Sequence, residues 1–144
     1  MRCIIAGGRE IDDPAVLVAA LDACPFSDQI TTVLEGGAFG VDSLARRFAY
    51  SRDLPCETHE ADWKKYGKSA GPRRNRFMAS IADALIAIPG AGRGTLNMVE
   101  EAIKVGLPVF VYDVHLGQAR SVEERAARLS KSAGRAALPG AKTP

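Results

Sequence analysis

Eight of the fourteen glycines fall in three clusters, Gly7-Gly8, Gly36-Gly37 with Gly40, and Gly90, Gly92 and Gly94, each directly after a short apolar run. Where a parallel strand turns into a helix, glycine permits unusual backbone angles and lets the peptide approach a ligand closely. The helix that follows exposes unpaired N–H groups and the positive end of its dipole, worth about 0.3–1 kcal/mol per exposed anionic charge. Arg9 and Arg93 stand in the first and third clusters, and Arg74 in a separate basic stretch. Their guanidinium forks add charge-assisted hydrogen bonds that lysine cannot reproduce. The chemistry these residues suit is the holding of phosphate.

Other polar residues in these segments admit two roles each. Asp42 either caps backbone amides at the start of its helix or bonds a ribose hydroxyl. Asn75 binds a base edge or sugar, or fixes the loop from Gly67 to Gly71. Trp63 stacks on a base or, the favoured reading, anchors that loop. Thr95 caps its helix and touches phosphate through its hydroxyl. Pro89 opens the third turn, and Ala38 lies inside the second. Arg74→Ala is then expected to weaken binding and leave the fold intact.

Several familiar motifs fail. Gly67-Lys68-Ser69 lacks the glycine five residues earlier that a P-loop requires, since Asp62 stands there. Neither Gly7-Gly8-Arg9 nor Gly90 to Gly94 has the GxGxxG spacing of a dinucleotide dehydrogenase. His59 and His115 form no ligand pattern and read as surface or satisfied residues. No metal and no resident cofactor are expected.

The elements that must position the turns alternate. Strands are expected at Arg2 to Ala6, Thr31 to Glu35, Cys56 to Glu60, Ala84 to Ile88 and Val109 to Tyr112. Helices are expected from Pro14, capped by Asp13, to Cys24; from Val41 to near Arg52; from Pro72 to Ala82; and from about Thr95 to before Gly106. Asp62 to Gly71 reads as a polar loop. Alternation with right-handed crossovers predicts an α/β Rossmann-like three-layer sandwich on a mainly parallel five-stranded sheet. Ser121 and Glu124 form a capping box for a short helix to about Lys131. One domain over 1–131 and a flexible tail over 132–144 follow.

A chain of 144 residues, 47% apolar and 25% charged, can bury a core without disulfides. Cys3, Cys24 and Cys56 are odd in number and show no CxxC spacing, which fits reduced thiols in the cytoplasm. No apolar run has the length of a signal peptide core or a membrane span. The net charge of +2 argues against a general polyanion binder. The charges are nevertheless uneven: Lys64, Lys65, Lys68, Arg73, Arg74 and Arg76 stand in one stretch without an acid.

Five segments in fixed order, Gly7-Gly8-Arg9, Gly36 to Asp42, Ala61 to Gly67, Ala70 to Asn75 with Met78, and Pro89 to Thr95, resemble the SLOG superfamily and within it the YspA-like branch of bacteria and phages. The resemblance covers about Met1 to Tyr112. It implies a Rossmann-like domain holding a nucleotide or nucleotide-derived small molecule over the glycine turns, and a homodimer paired through helices. The superfamily also contains the lonely-guy enzymes, nucleoside 5′-monophosphate N-glycosidases with a PGGxGTxxE motif. Here Met98 stands at the place of the glutamate, and the stretch is one residue longer. Glu101 lies one helical turn on, about 5 Å, and Glu100 about 200° around the helix. Glu35, Asp42, Asp62 and Glu101 are the candidate carboxylates for hydrolysis, undistinguished by spacing. The DNA-processing, DprA-like members offer a further reading, with Trp63, Tyr66 and Phe39 as stacking surfaces. At 6% aromatic content and near-neutral charge, that composition argues against nucleic acid. Binding of a nucleotide ligand is therefore the leading expectation, hydrolysis the second.

Overall fold

The computed structural model describes residues 1–114 and 118–120. In chain order the elements are strand β1 (Arg2–Gly7), helix α1 (Pro14–Ala23), β2 (Thr32–Glu35), α2 (Val41–Ser51), β3 (Cys56–Thr58), α3 (Trp63–Tyr66), α4 (Ala70–Ile81), β4 (Ala84–Ile88), α5 (Gly94–Lys104), β5 (Val109–Asp113) and β6 (Gln118–Arg120). The sheet runs β3-β2-β1-β4-β5-β6. The five expected strands are parallel neighbours, and β6 adds an antiparallel edge beside β5. Gln118-Ala119-Arg120 carries no apolar signal that would have announced a strand.

Both faces of the sheet are covered, which is why β4 contains no polar residue. Along β1, Cys3 and Ile5 point into the core under α1 and α2, with Leu17, Ala20 and Leu44. Ile4 points the other way, onto Met78 of α4 and Met98, Val99 and Ala102 of α5. The period of two in the strand and 3.6 in the helices makes both layers from one alternating sequence.

Local signals act as expected in α1, where the Ala15 amide donates to Asp13 Oδ1 at 3.0 Å and Pro14 opens the helix. The segment expected as a loop from Asp62 to Gly71 is instead mostly helical. Asp62 caps α3 by accepting from the Lys65 amide at 3.1 Å, and a 3₁₀ turn at Gly67–Ser69 leads straight into α4. That helix starts at Ala70, two residues before Pro72. Proline is tolerated there because a first-turn N–H has no intrahelical acceptor to lose. The helix expected after Ser121 and the tail from Ser132 lie outside the described residues.

Candidate functional site

The chain leaves β1 for β2 and β3 on one side, then returns to place β4 and β5 on the other. The crevice above the carboxyl end of β1 is therefore a topological switch point, where open α/β sheets hold ligands. The three glycine turns meet there, around a cavity of about 390 Å³ that α3 and α4 also border. Of the site residues expected from sequence, all line it except Gly37, Gly40, Pro89 and Gly90. Ala6, Glu10, Met78 and Met98 line it in addition.

The glycines divide into two kinds. A methyl group on Gly8 would lie 2.7 Å from the Gly90 Cα, and one on Gly7 would strike Val41 and the Ile88 carbonyl. At Gly40 it would strike the carbonyls of Gly8 and Arg9, and at Gly36 the Arg74 guanidinium. Turn packs on turn at these positions, so the glycines first of all let the three bends touch. Gly92 and Gly94 differ: a methyl group on either would meet nothing within 4 Å.

In the second turn the chain's own carboxylates take up three of the amides expected to face an anion, while no side chain caps the start of α2. Asp42 Oδ2 accepts from the N–H groups of Gly36 at 3.2 Å and Ala38 at 3.1 Å, and Glu35 Oε1 accepts from Gly37 at 2.6 Å. Asp42 therefore fastens the turn that precedes its helix and does not cap the helix itself. Burial pushes its carboxyl above the usual aspartate range, opposed by the Ala38 amide and Arg74. Glu35 is fully buried, held by Arg46 at 2.8 Å and by the Thr58 hydroxyl.

Arg74 binds this turn to its neighbours. Its Nη1 donates to the Gly36 carbonyl at 2.7 Å and the His59 carbonyl at 3.1 Å, and its Nε to Asn75 Oδ1 at 2.8 Å. Burial pulls its pKa below the ordinary arginine value, with Asp42 acting the other way. Asn75 does not fix the loop from Gly67 to Gly71. Its Nδ2 donates to Asn97 Oδ1 at 2.9 Å and the Gly94 carbonyl at 3.3 Å, fastening α4 to the start of α5.

The third turn leads into a helix whose start, like that of α2, no side chain caps. The first amides of α5 therefore remain available to an external acceptor. Thr95 lies inside the helix and does not cap it; its side chain is buried on the cavity wall, and its hydroxyl has no hydrogen-bond partner among the described residues. Trp63 lies across Gly71, half exposed, and presents its indole to the cavity. It anchors the segment and lines the site at once.

Among the candidate carboxylates for hydrolysis, only Asp42 reaches the cavity. Asp62 caps α3, and Glu101 is buried beside Arg76 at 3.6 Å and Lys104 at 3.4 Å. Met98 puts a thioether on the wall instead. Glu10, which no motif marked, accepts from the Ala91 amide at 2.7 Å across the seam between first and third turns. Position just after Gly7-Gly8-Arg9 was its only signal. The basic stretch makes no continuous groove: Arg73 sits 4.4 Å over the Tyr66 ring, Arg76 faces Glu101, and only Arg74 lines the cavity. Phe39 and Tyr66 do not line it. His59 is satisfied by Glu57 at 3.0 Å. His115 lies outside the described residues. A larger groove of about 720 Å³ runs between α1 and α2, but no glycine turn borders it.

Residues 1–66 match the family model YAcAr, the YspA, cpYpsA-related SLOG family. The chain is 37% identical over 116 residues to the Gene 61 protein of Mycobacterium phage D29, covering 75% of this chain and 93% of that protein. Among solved structures, the molybdenum cofactor binding protein of the phototrophic bacterium Rippkaea orientalis superposes with a TM-score of 0.64 at 20% identity, over 90% of this chain and 84% of that one. No helix among the described residues is long and apolar enough to cross a membrane. The chain therefore belongs to the YspA, cpYpsA-related SLOG family.

Proposed function

We propose that the chain is a binding module for a nucleotide or nucleotide-derived small molecule, held with its phosphate at the start of α5. The observation that carries this reading is the pair Gly92 and Gly94. Neither has a positive φ and neither is crowded, so conformation and packing leave their lack of a side chain unexplained. Close approach of a ligand to the backbone explains it. The uncapped α5 amides, the unpartnered Thr95 hydroxyl and Arg93 supply donors for an anion, and Trp63 supplies a flat apolar wall for a base. The structural neighbour is named for binding a cofactor, which fits a small ligand at this fold position.

Hydrolysis of nucleoside monophosphates is the weaker reading. Met98 stands where the lonely-guy motif has its glutamate, and the two carboxylates that line the cavity, Asp42 and Glu10, are each engaged by backbone amides. Incubation with adenosine 5′-monophosphate should release no free base.

Binding is tested by thermal unfolding with a panel of adenine and guanine nucleotides, ADP-ribose and cyclic nucleotides. A true ligand at one hundred times its Kd adds about 2.7 kcal/mol of stability, several degrees in Tm. A panel in which no phosphate-bearing compound shifts Tm overturns the reading. A cytoplasmic location is part of it, supported by three cysteines that form no disulfide with one another. So is a homodimer, supported by the apolar groove between α1 and α2 with Val18 and Tyr50 exposed beside it. Light scattering at the mass of one chain would dismiss the dimer.

A further inference from the structure

We infer that Glu10 sets the charge the cavity accepts, admitting a nucleotide with one phosphoryl group and disfavouring di- and triphosphates. The inference rests on the nucleotide reading above and gives it a specificity. Glu10 follows the first turn and reaches over the seam to the third, where the Ala91 amide donates to its Oε1 at 2.7 Å. The carboxylate is boxed in by backbone: a methyl group on Gly8 would lie 2.7 Å from that same oxygen, and one on Gly90 would lie 2.7 Å from Glu10 Cδ. The residue is exposed, and the Ala91 hydrogen bond is what holds its carboxylate at the seam. Its own amide and that of Ala91 hold its pKa below the usual glutamate value, so it is charged at neutral pH.

Two consequences follow for an entering anion. The charged side chains lining the cavity are Arg9, Arg74 and Arg93 against Glu10 and Asp42. Arg74 already faces Asp42 and two carbonyls, which leaves Arg9 and Arg93 as the lining cations without an ion pair or hydrogen bond among the described residues, in a cavity that Glu10 also lines. A phosphomonoester brings about −1.5 to −2 charge. Each further phosphoryl group adds about one more charge with no further cation to meet it, and at close range Glu10 repels it. Second, the Ala91 amide is occupied by Glu10 and cannot receive a second phosphoryl group. The α5 amides and Thr95 remain for the first.

The test compares AMP, ADP and ATP, each with EDTA so that no divalent cation masks the charge, on the full chain and on Glu10→Gln and Glu10→Ala. Glutamine keeps an oxygen acceptor for the Ala91 amide and removes the charge; alanine removes both. The parent should prefer AMP, and Glu10→Gln should raise the affinity for ATP relative to AMP by about tenfold or more at low salt, with the gain shrinking as salt is added. Glu10→Ala should raise it at least as far. Circular dichroism and the melting temperature verify that each variant is folded, as expected for an exposed position. A parent that binds ATP as well as AMP, or variants whose ATP-to-AMP ratio matches the parent's, overturns the inference while leaving nucleotide binding intact. Absence of binding by all three overturns the inference, and the wider panel of phosphate-bearing compounds then decides the nucleotide reading.

Discussion

Arg74→Ala should lower the free energy of unfolding by about 1–3 kcal/mol even with no ligand present, by removing one partner of a partly buried charge network. The guanidinium donates to the carbonyls of Gly36 and His59 and to Asn75, and it is the cation facing the buried Asp42. Its loss leaves those carbonyls with water at best and raises the cost of holding Asp42 ionised beside Glu35. The lower end of the range reflects the partial solvation of the side chain. Urea unfolding reads the effect as a lower midpoint at unchanged slope. Arg74→Lys should recover only part of the loss, because an ammonium cannot span three acceptors with one rigid fork. Ligand affinity should fall in both variants, since the second turn that Arg74 holds is one wall of the cavity. Unchanged stability in Arg74→Ala, with affinity alone reduced, would return the residue to the purely ligand-binding role that its type and position suggested.

That revision marks where sequence reasoning stopped. The five parallel strands, the helix between each pair and the edge at which the glycines gather were legible because each rests on a local signal: an apolar run, a cap, a glycine after a strand. Asp13 with Pro14 and the unbroken run Ala84–Ile88 are cases where the local rule and the tertiary structure agree. Pairings across the chain were not legible. That Asn75 fastens α5 and that Glu10 reaches Ala91 depend on contacts between segments 22 and 81 residues apart. The short helix α3 was missed because four residues carry too little periodicity to be seen. Glycine itself was ambiguous for the same reason, since the letter does not say whether the missing side chain makes room for another turn or for a ligand.

Substitution of the two kinds of glycine separates these roles, with opposite signs in stability. Gly40 has φ 74° and ψ −128°, and a methyl group there would lie 2.5 Å from the Arg9 carbonyl oxygen and closer still to that of Gly8. Gly40→Ala should therefore cost on the order of 3 kcal/mol or more, through backbone strain and the opening of the contact between first and second turns. Gly94 is the first residue of α5, without a positive φ, and its methyl group would meet nothing within 4 Å. Gly94→Ala should leave stability unchanged or raise it by about 0.4–1 kcal/mol, because alanine reduces the freedom of the unfolded chain at no steric cost. Yet the added methyl group stands over the amides proposed to receive phosphate, so nucleotide affinity should fall tenfold or more, about 1.4 kcal/mol. Gly92→Ala should follow the same pattern. A variant that is as stable as its parent and binds poorly cannot owe the defect to unfolding, which is what makes Gly94 the sharper measurement. Parent-like affinity in Gly94→Ala would mean that the open space beside the helix is not where the anion sits, and the site would have to be sought along the rest of the crevice.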